Sequence, residues 1–341
     1  MMRLARSLAL CSALLGCENQ GTETSILGSA QRGTSAVSVG RAPLRVAYSD
    51  SPGWTAFEIG IELGWFKKAG LDVTFSWSDY TSSLYAFSSG TVDAVTLTHA
   101  DALVLGADGA KNKMILLTDF SNGNDEVVAR PGIETFKDLR GKKVGLELTL
   151  IDHLLFLKAC EINGMKATDV ELVNVPTGQT ASALAGGEVA AVAAWYPTSA
   201  QALRFVPGAK PVFSSADVPG LIYDAVSVSP TSLSERRDDW IKFAKVWYRI
   251  SDFVRDAKTR DRALAIMAAK VGVKPEEYAA VIQGSHFLSL EEAKTRYVEG
   301  DGLDSLYGST TVADEFNVSH KVYKDRQRAS DYIAPVVLTA L

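Results

Sequence analysis

The sequence has few cysteines and no excess of positive charge. Its 341 residues include 3 cysteines, which form no disulfide framework and no metal-spaced cluster with histidine. One of them, Cys160, stands alone in an apolar helical pattern that is typical of packed core. There are 35 Lys and Arg against 40 Asp and Glu, and no basic run occurs. Nucleic acid is therefore not an expected partner.

Catalytic motifs are also missing from the sequence. It contains no glycine-rich phosphate loop, and its 4 histidines form no Ser/His/Asp set that spacing would support. We therefore expect a protein that is not an enzyme and that needs neither a cofactor nor a metal.

The N-terminal segment lacks an apolar run long enough to cross a bilayer. Arg3 and Arg6 precede a short apolar stretch that ends in Leu-Leu-Gly-Cys at Cys17. A basic start, a short apolar stretch and small residues before the cut predict a secretory signal over residues 1–17. Leu-x-Gly-Cys resembles a bacterial lipoprotein box, which makes Cys17 the predicted lipidation site. An ordinary signal peptide that is cut nearby is the alternative.

Residues 18–42 are rich in Gly, Ser and Thr and have few large apolar groups. Such a composition cannot bury enough surface to fold, so it predicts a flexible tether. Together with a lipidated Cys17, this predicts a folded part in the periplasm or at an extracytoplasmic membrane surface, held there by the lipid alone.

The rest of the chain contains a repeat with a period near 97 residues. Val73 and Gly90 recur as Val170 and Gly187, each 97 positions later, in segments with strand-like apolar patterns. A third such segment, around Val46, recurs 98 positions later. Helical patterns separate the three segments in both copies. Each copy is therefore β-α-β-α-β, which predicts a sheet of mainly parallel strands flanked by helices.

Two such halves predict a two-lobe α/β fold with mainly parallel sheets. A first crossover between the lobes is expected at residues 124–131. In open α/β sheets ligands bind beyond the carboxyl ends of the strands, so the predicted site is the cleft between the lobes.

The segment TDFSNGNDEVVARPG, residues 118–132, places acids and amides between two apolar stretches. Asn122-Gly123 is a strong hairpin signal, and a β-hairpin is one interpretation. The other is that this segment crosses from lobe I to lobe II at the floor of the cleft, where its polar groups can contact a ligand.

The strand-end segments that would face the cleft carry acids, amides and aromatic rings and contain no Lys or Arg. The candidate ligand-binding residues are Ser51, Trp54, Asp79, Thr98, Asp119, Asn124, Asp125, Asp152, His153, Trp195 and Asp224. A desolvated pocket that is rich in acids and has no positive charge repels anions and favours a cation or a multi-donor amide. Trp54 and Trp195 add flat faces on which a guanidinium can rest.

Some of these candidates have structural alternatives. Asp79 and Asp101 each follow a predicted strand and precede a predicted helix. Both could be helix N-caps, the usual role of Asp where a strand leads into a helix. His153 could be a structural histidine. Trp195 is the strongest single candidate, because the repeat aligns it with the small Thr98 and its ring can fill the space that Thr98 leaves.

Three motifs carry a family resemblance: GWFKKAGLDV (64–73), SSGTVDAV (88–95) and FKDLRGKKVGL (136–146). They resemble the substrate-binding proteins of bacterial importers for nitrate, sulfonates, taurine and thiamine precursors. DFSNGND, DHLL and LIYDAVSV resemble, more narrowly, the subgroup associated with urea carboxylase. The resemblance implies the type II periplasmic-binding-protein fold, with mixed, mainly parallel sheets and two crossovers, the second at residues 219–225. Lobe I is then expected to comprise residues 43–129 and 225–341, and lobe II residues 130–224. The resemblance also implies an ABC permease with its ATPase as partners, and we expect a monomer.

The subgroup implies a small nitrogen compound such as urea or guanidine as the cargo. A sulfonate, taurine, nitrate or a thiamine-precursor pyrimidine is the alternative. A sensory binding domain and a pyrimidine-synthesising enzyme are the rival classes.

Overall fold

The structure is a computed structural model that describes residues 41–341. The predicted signal, Cys17 and nearly all of the predicted tether lie outside the described residues. Ala42–Leu341 form one unit. No helix in the described part is long and apolar enough to cross a membrane.

The first sheet is built from strands that come from both ends of the folded chain. Its strand order is β11-β4-β10-β3-β1-β2. β1 is parallel to β2 and β3, whereas β10 is antiparallel to β3 and β4 and β11 is antiparallel to β4. The strands are β1 (Leu44–Tyr48), β2 (Val73–Trp77), β3 (Ala94–Thr98), β4 (Lys113–Ser121), β10 (Tyr223–Val228) and β11 (Ser285–Phe287).

The second sheet repeats this arrangement in a contiguous piece of chain. Its order is β7-β6-β8-β5-β9, with β6 parallel to β7 and β8 and β5 antiparallel to β8 and β9. The strands are β5 (Glu126–Ala129), β6 (Lys143–Leu146), β7 (Glu171–Asn174), β8 (Ala191–Ala194) and β9 (Lys210–Ser214).

The two sheets agree with the repeat. Val46 on β1 pairs with Ala94 on β3, and Val144 on β6 pairs with Ala191 on β8, so the matched positions are in the same register. In each sheet, the first strand that the chain forms after crossing from the other lobe is antiparallel to its neighbours. These two exchanged strands are β5, which the chain reaches after its first crossing, and β10, which it reaches after its second.

The lobe boundary differs from the prediction in one strand. β5 was expected to end lobe I at residue 129, but it pairs with β8 and β9 in the second sheet. The first crossing therefore lies between the end of β4 at Ser121 and the start of β5 at Glu126. The second lies between β9 and β10, at residues 215–222. Below, lobe I means residues 42–121 and 223–341, and lobe II means residues 126–214.

Helices flank both sheets. Those before the first crossing are α1 (Pro52–Thr55), α2 (Phe57–Glu62), α3 (Trp65–Lys68), α4 (Tyr80–Ser88) and α5 (His99–Ala107). Lobe II contains α6 (Ile151–Ile162), α7 (Thr177–Gly186) and α8 (Thr198–Phe205). After the second crossing come α9 (Pro230–Glu235), α10 (Arg237–Arg255), α11 (Arg260–Val271), α12 (Pro275–Val281), α13 (Leu290–Arg296), α14 (Leu306–Ser319) and α15 (Ala329–Tyr332).

Aromatic side chains hold α2, α3 and α10 against the first sheet. The ring of Phe57 lies 4.6 Å from that of Trp247, and the ring of Phe66 lies 4.9 Å from Phe75 and 5.2 Å from Phe243, centroid to centroid. Aromatic pairs at such separations stabilise a core beyond the burial of their area. Trp247 and Phe243 recur at helical spacing on α10, so one face of that helix is buried.

Candidate functional site

A cavity lies between the lobes at the carboxyl ends of the first-sheet strands. Its volume is about 20 Å³. A cavity needs about 10–15 Å³ to hold a single water molecule. Only a very small solute therefore fits between the lobes as they are placed here. The cavity is lined by Ser51, Pro52, Trp54, Tyr80, Thr98, Ser121, Asn124, Asp125, Ile151, Trp195, Tyr196, Asp224 and Ser285.

The segment after β4 is a crossing and not a hairpin, because β4 and β5 belong to different sheets. The two crossings are joined at the cavity wall: Ser121 Oγ and Ser215 Oγ share a hydrogen bond of 2.7 Å. The backbone N–H of Gly123 also donates to Ser215 Oγ, at 2.7 Å. Asn124 Nδ2 donates to Ser285 Oγ at 2.8 Å, which ties a third segment to the same point.

Three polar residues stand in a row across the first sheet. Asp224 on β10 is paired with Thr98 on β3 and with Asp119 on β4. Residues directly opposite each other on neighbouring strands point to the same face, so the row lies together at the back of the cavity. Ser51 Oγ donates to Asp224 Oδ2 at 3.0 Å. Burial, and next the nearby Asp119, raises the pKa of Asp224 well above its ordinary value.

Asp119, the third residue of this row, is fully buried. Thr118 Oγ1 donates to its Oδ1 at 2.7 Å, while its Oδ2 has no hydrogen-bond partner. Burial raises the pKa of Asp119 to about 7. A Cβ placed on Gly53 would lie 1.7 Å from Asp119 Oδ1, so α1 can pack on this carboxyl only because that position has no side chain.

Asp101 and Tyr80 form a buried group beside Thr98. The hydroxyl of Tyr80 donates to Asp101 Oδ2 at 2.6 Å, and Thr98 Oγ1 donates to the same oxygen at 2.8 Å. Thr98 is the N-cap of α5, since its Oγ1 accepts from the backbone N–H of Asp101. Asp101 is therefore not the cap of this helix. Burial raises its pKa to about 7.

The crossing supplies a further acid directly to the cavity wall. Burial raises the pKa of Asp125 to about 6, although a hydrogen bond with Ser121 acts in the opposite direction. The neighbouring Glu126 has its pKa raised to about 7, first by burial and then by Asp125.

Lobe II contributes Asp152 from the first turn of α6. Thr177 Oγ1 donates to Asp152 Oδ2 at 3.3 Å and to Glu147 Oε2 at 2.9 Å. The other oxygen of Asp152, Oδ1, is buried without a partner. Burial, and next the charge of Asp125, raises the pKa of Asp152 well above its ordinary value.

Three aromatic rings surround the same space. Trp54 stacks on Tyr80 with 5.1 Å between ring centroids, and Trp195 meets Tyr80 edge to face at 5.5 Å. The Trp54 indole N–H is buried without a partner. Trp195 makes a hydrogen bond to Asp50 of lobe I, so this ring also joins the lobes.

Two of the sequence candidates are not brought to the cavity. Asp79 is exposed and is the N-cap of α4, where it accepts from the backbone N–H of Ser82 at 2.9 Å. It lines the outer groove at the cleft mouth. His153 lies on α6 against Phe316 of α14 and against His320, the residue that follows this helix, with ring centroids 6.2 and 6.5 Å away. Burial, and next His320, lowers its pKa to about 4.

The remaining candidates converge. Seven of them line the cavity: Ser51, Trp54, Thr98, Asn124, Asp125, Trp195 and Asp224. Asp119 and Asp152 are buried beside it. The sequence candidates did not include the other polar lining residues, namely Tyr80, Ser121, Tyr196 and Ser285. Tyr80 sits in an aromatic-rich stretch that could have suggested it, whereas no local signal marks Ser285.

We call the buried acids around this space the carboxylate cluster: Asp101, Asp119, Asp125, Asp152 and Asp224. All are under a tenth exposed. No Lys, Arg or His lines the cavity. Within residues 41–341, no group of three acids, histidines or cysteines is arranged to hold a metal ion. The cluster is therefore a set of separate carboxyls around one small space.

Comparison with known sequences finds a family match over part of the chain. Residues 51–216 match the family described as NMT1/THI5 like. Curated relatives from Brucella abortus strain 2308 and Brucella suis biovar 1, named as binding proteins, are each 29% identical over 177 residues, which is 51% of this chain and 54% of theirs. The chain thus spans about half the length of the curated relatives it matches.

Solved structures with the same fold support the two-lobe architecture. The alkanesulfonate-binding protein SsuA from Xanthomonas axonopodis pv. citri, bound to MOPS, aligns with a TM-score of 0.71 at 14% identity, covering 86% of this chain and 98% of that one. The aliphatic sulphonate-binding protein SsuA from Escherichia coli gives 0.71 at 16%, covering 88% and 100%. The desulfurization enzyme DSZB gives 0.63 at 16%, covering 87% and 98%. At these identities the likeness establishes the periplasmic-binding-protein fold.

Proposed function

We propose that this chain, whose residues 51–216 match the NMT1/THI5-like family, is the solute-binding component of an ABC importer. It captures a small nitrogen compound, a cation or donor-rich amide such as guanidine or urea, between its lobes. It then delivers the solute to a membrane permease driven by an ATPase. The relatives named as binding proteins and the shared fold support the solute-binding part of this proposal.

The observation that carries the ligand class is the carboxylate cluster, which surrounds the cavity without a lining cation. A buried carboxylate is costly unless a positive group or several donors compensate it. The protein supplies too few, since Asp119 Oδ2 and Asp152 Oδ1 are unpartnered. A ligand with many N–H donors supplies what is missing, and a guanidinium also supplies the charge.

The size and the walls of the cavity favour a small flat solute. Its volume in this conformation compares with that of one or two water molecules. Trp54 and Tyr80 are stacked and Trp195 stands edge-on to them, so aromatic surface faces the same space as the acids. A planar cation can place its weakly hydrated face on a ring and its edges on carboxylates.

An anionic sulfonate is the second candidate, because structural relatives are sulfonate-binding proteins. The donors open to an anion here are hydroxyls such as those of Ser51 and Ser285, and the free indole N–H of Trp54. An anion would also require the cluster to stay protonated. The charge of the bound solute therefore separates the two candidates.

Guanidinium, urea and nitrate test this directly, since each is a planar molecule of four non-hydrogen atoms with charge +1, 0 or −1. Thermal unfolding of the protein should be measured with each, and with taurine and a small alkanesulfonate. Binding to the folded state stabilises it by about 2.7 kcal/mol at a hundredfold excess over Kd. We expect stabilisation by guanidinium or urea and none by nitrate. Stabilisation by taurine or nitrate alone would overturn the proposed ligand class.

The proposal assigns a binding and not a catalytic role. None of the cavity-lining residues is a His, Cys or Lys, which are common nucleophiles and bases. A sensory role would use the same cavity. Genes for a permease and an ATPase beside this one would favour transport, and a histidine-kinase gene would favour sensing. The proposed location is the periplasm, with Cys17 as lipid anchor.

A further inference from the structure

The carboxylate cluster has no internal counter-charge in the ligand-free protein. The charged or titratable groups that interact with its members are Glu126, Glu147, Tyr80, Tyr278 and the other acids of the cluster. None of these groups can carry a positive charge. The hydrogen bonds that reach the cluster come mainly from hydroxyls, of Ser51, Tyr80, Thr98, Thr118 and Thr177.

Five separate carboxyls under a tenth exposed cannot all be ionised in such a space. Like charges that share a desolvated site favour the neutral form of one another. No described group of acids is arranged to hold a metal ion as the counter-charge. Protons are the remaining small cations that every carboxyl can bind. The empty site therefore holds protons near neutral pH.

We propose that a cationic solute enters this cavity in exchange for protons that the carboxylate cluster holds when the site is empty. The inference rests on the function proposed above. On binding, the solute's charge stabilises the ionised carboxyls, and their O–H protons pass to solvent. A neutral solute of the same shape leaves the protons where they are, because it brings no charge to compensate ionised acids. Capture of the cation is thus coupled to external pH.

The direction of the coupling follows from linkage. If binding releases protons, a higher proton concentration opposes binding, so affinity for the cation rises with pH. While the empty site is protonated, each released proton changes Kd by about tenfold per pH unit. The rise levels off once the empty site has itself lost these protons. Raised pKa values of about 6 for Asp125 and about 7 for Asp101 and Asp119 place the steep part below about pH 7.

The test compares guanidinium and urea on the same protein. Calorimetric titration from pH 5.5 to 8.0, in buffers free of sulfonates, gives Kd, and base added to hold the pH in a weakly buffered titration counts the protons released. We expect guanidinium to bind about tenfold more tightly at pH 6.5 than at pH 5.5, with about one proton released. Urea should show no release and a Kd that does not change with pH.

Two variants check the source of the protons. Asp119→Asn removes a carboxyl that stands behind the lining residues, and it should lower the proton count for guanidinium. Glu171→Gln removes an exposed acid on lobe II and should leave the count unchanged. Guanidinium binding with a flat Kd and no released proton would overturn the exchange and leave the proposed function standing. Failure of both guanidinium and urea to bind, with binding of taurine, would overturn the proposed ligand class itself.

Discussion

A Cβ on Gly53 would lie 1.7 Å from Oδ1 of Asp119, so the backbone of α1 rests directly on a buried carboxyl. The contact links the first turn after β1 to the middle of the sheet. It fixes α1, which carries Trp54 one residue later, against the wall of the cavity.

Gly53→Ala should therefore damage both stability and binding. The added methyl must displace Asp119 or α1, and overpacking of this kind costs about 1–3 kcal/mol. The melting temperature and the affinity for the solute should both fall. Heat is the proper denaturant, because urea and guanidinium are candidate ligands. Gly186→Ala is the control, since its Cβ would meet nothing closer than 3.7 Å. Unchanged affinity in Gly53→Ala would show that α1 does not contribute to solute binding.

Asp224→Asn and Asp152→Asn should each weaken a cationic solute by at least about a hundredfold. Removing one carboxyl of a buried charged contact costs about 3–5 kcal/mol, and each 1.4 kcal/mol is about tenfold. Titration calorimetry measures the change, with Glu171→Gln as the exposed control. If these acids serve only the fold, affinity will stay the same and only the melting temperature will move.

Trp195 should matter for binding and for closure of the cleft. Trp195→Phe keeps a ring but loses the hydrogen bond to Asp50, which is worth about 0.5–1.5 kcal/mol, whereas Trp195→Ala loses both. We expect up to about tenfold weaker binding for the Phe variant and a larger loss for the Ala variant. Small-angle scattering should show a smaller radius of gyration with solute in the wild type and a lesser change in Trp195→Ala. An identical wild-type profile with and without solute would contradict closure.

The ligand-free protein should be less stable at pH 7.5 than at pH 5.5. The carboxylate cluster has raised pKa values, so between pH 4 and about 7 the folded state holds protons that the unfolded chain releases. Stability from these groups falls as pH rises through that window. His99 and His153, with pKa values lowered to about 4, act in the opposite sense below pH 6.5. Because two histidines oppose the five acids of the cluster, we expect the acids to determine the sign of the change in stability.

Calorimetric melting at both pH values checks this sign. In Asp101→Asn the fall between pH 5.5 and 7.5 should be smaller, because one raised carboxyl is gone. A melting temperature that rises over this range would show that the histidines, and not the acids, dominate.

Cys17→Ser should move the protein from the membrane to the soluble fraction. The motive is the Leu-Leu-Gly-Cys motif. Membrane fractionation followed by immunodetection measures the distribution. Membrane association that persists in the variant would contradict lipid anchoring at this residue.

The local sequence was sufficient to predict the sheets because their pattern occurs twice. Val46 and Val144 occupy matched positions on β1 and β6. Gly70 and Gly164 each follow a helix and have a positive φ, as glycines that end helices do. The helical segment between β1 and β2 is divided, because Gly64 takes a left-handed conformation between α2 and α3.

The parts of the site that the sequence did not predict depend on distant segments. Ser285 enters the cavity on β11, a strand of three residues that reaches β4 from more than 160 positions away. No periodicity marks so short a strand. The role of Asp79 could not be decided either, since an Asp between strand and helix suits a cap and a ligand contact equally. Its exposure and its bond to Ser82 make it a cap.

The exchanged strands set the order in which the sheets of the two lobes can be completed during synthesis. The first and last strands of lobe II, β5 and β9, pair with each other, and Glu126 lies opposite Ser214. That lobe is thus one uninterrupted stretch of chain, and all of its strands have been synthesised before β10 emerges from the ribosome. Lobe I must wait for β10, because this strand stands between β3 and β4 in the middle of its sheet. The back wall of the cavity, β10, thus becomes available only after every strand of lobe II has been synthesised.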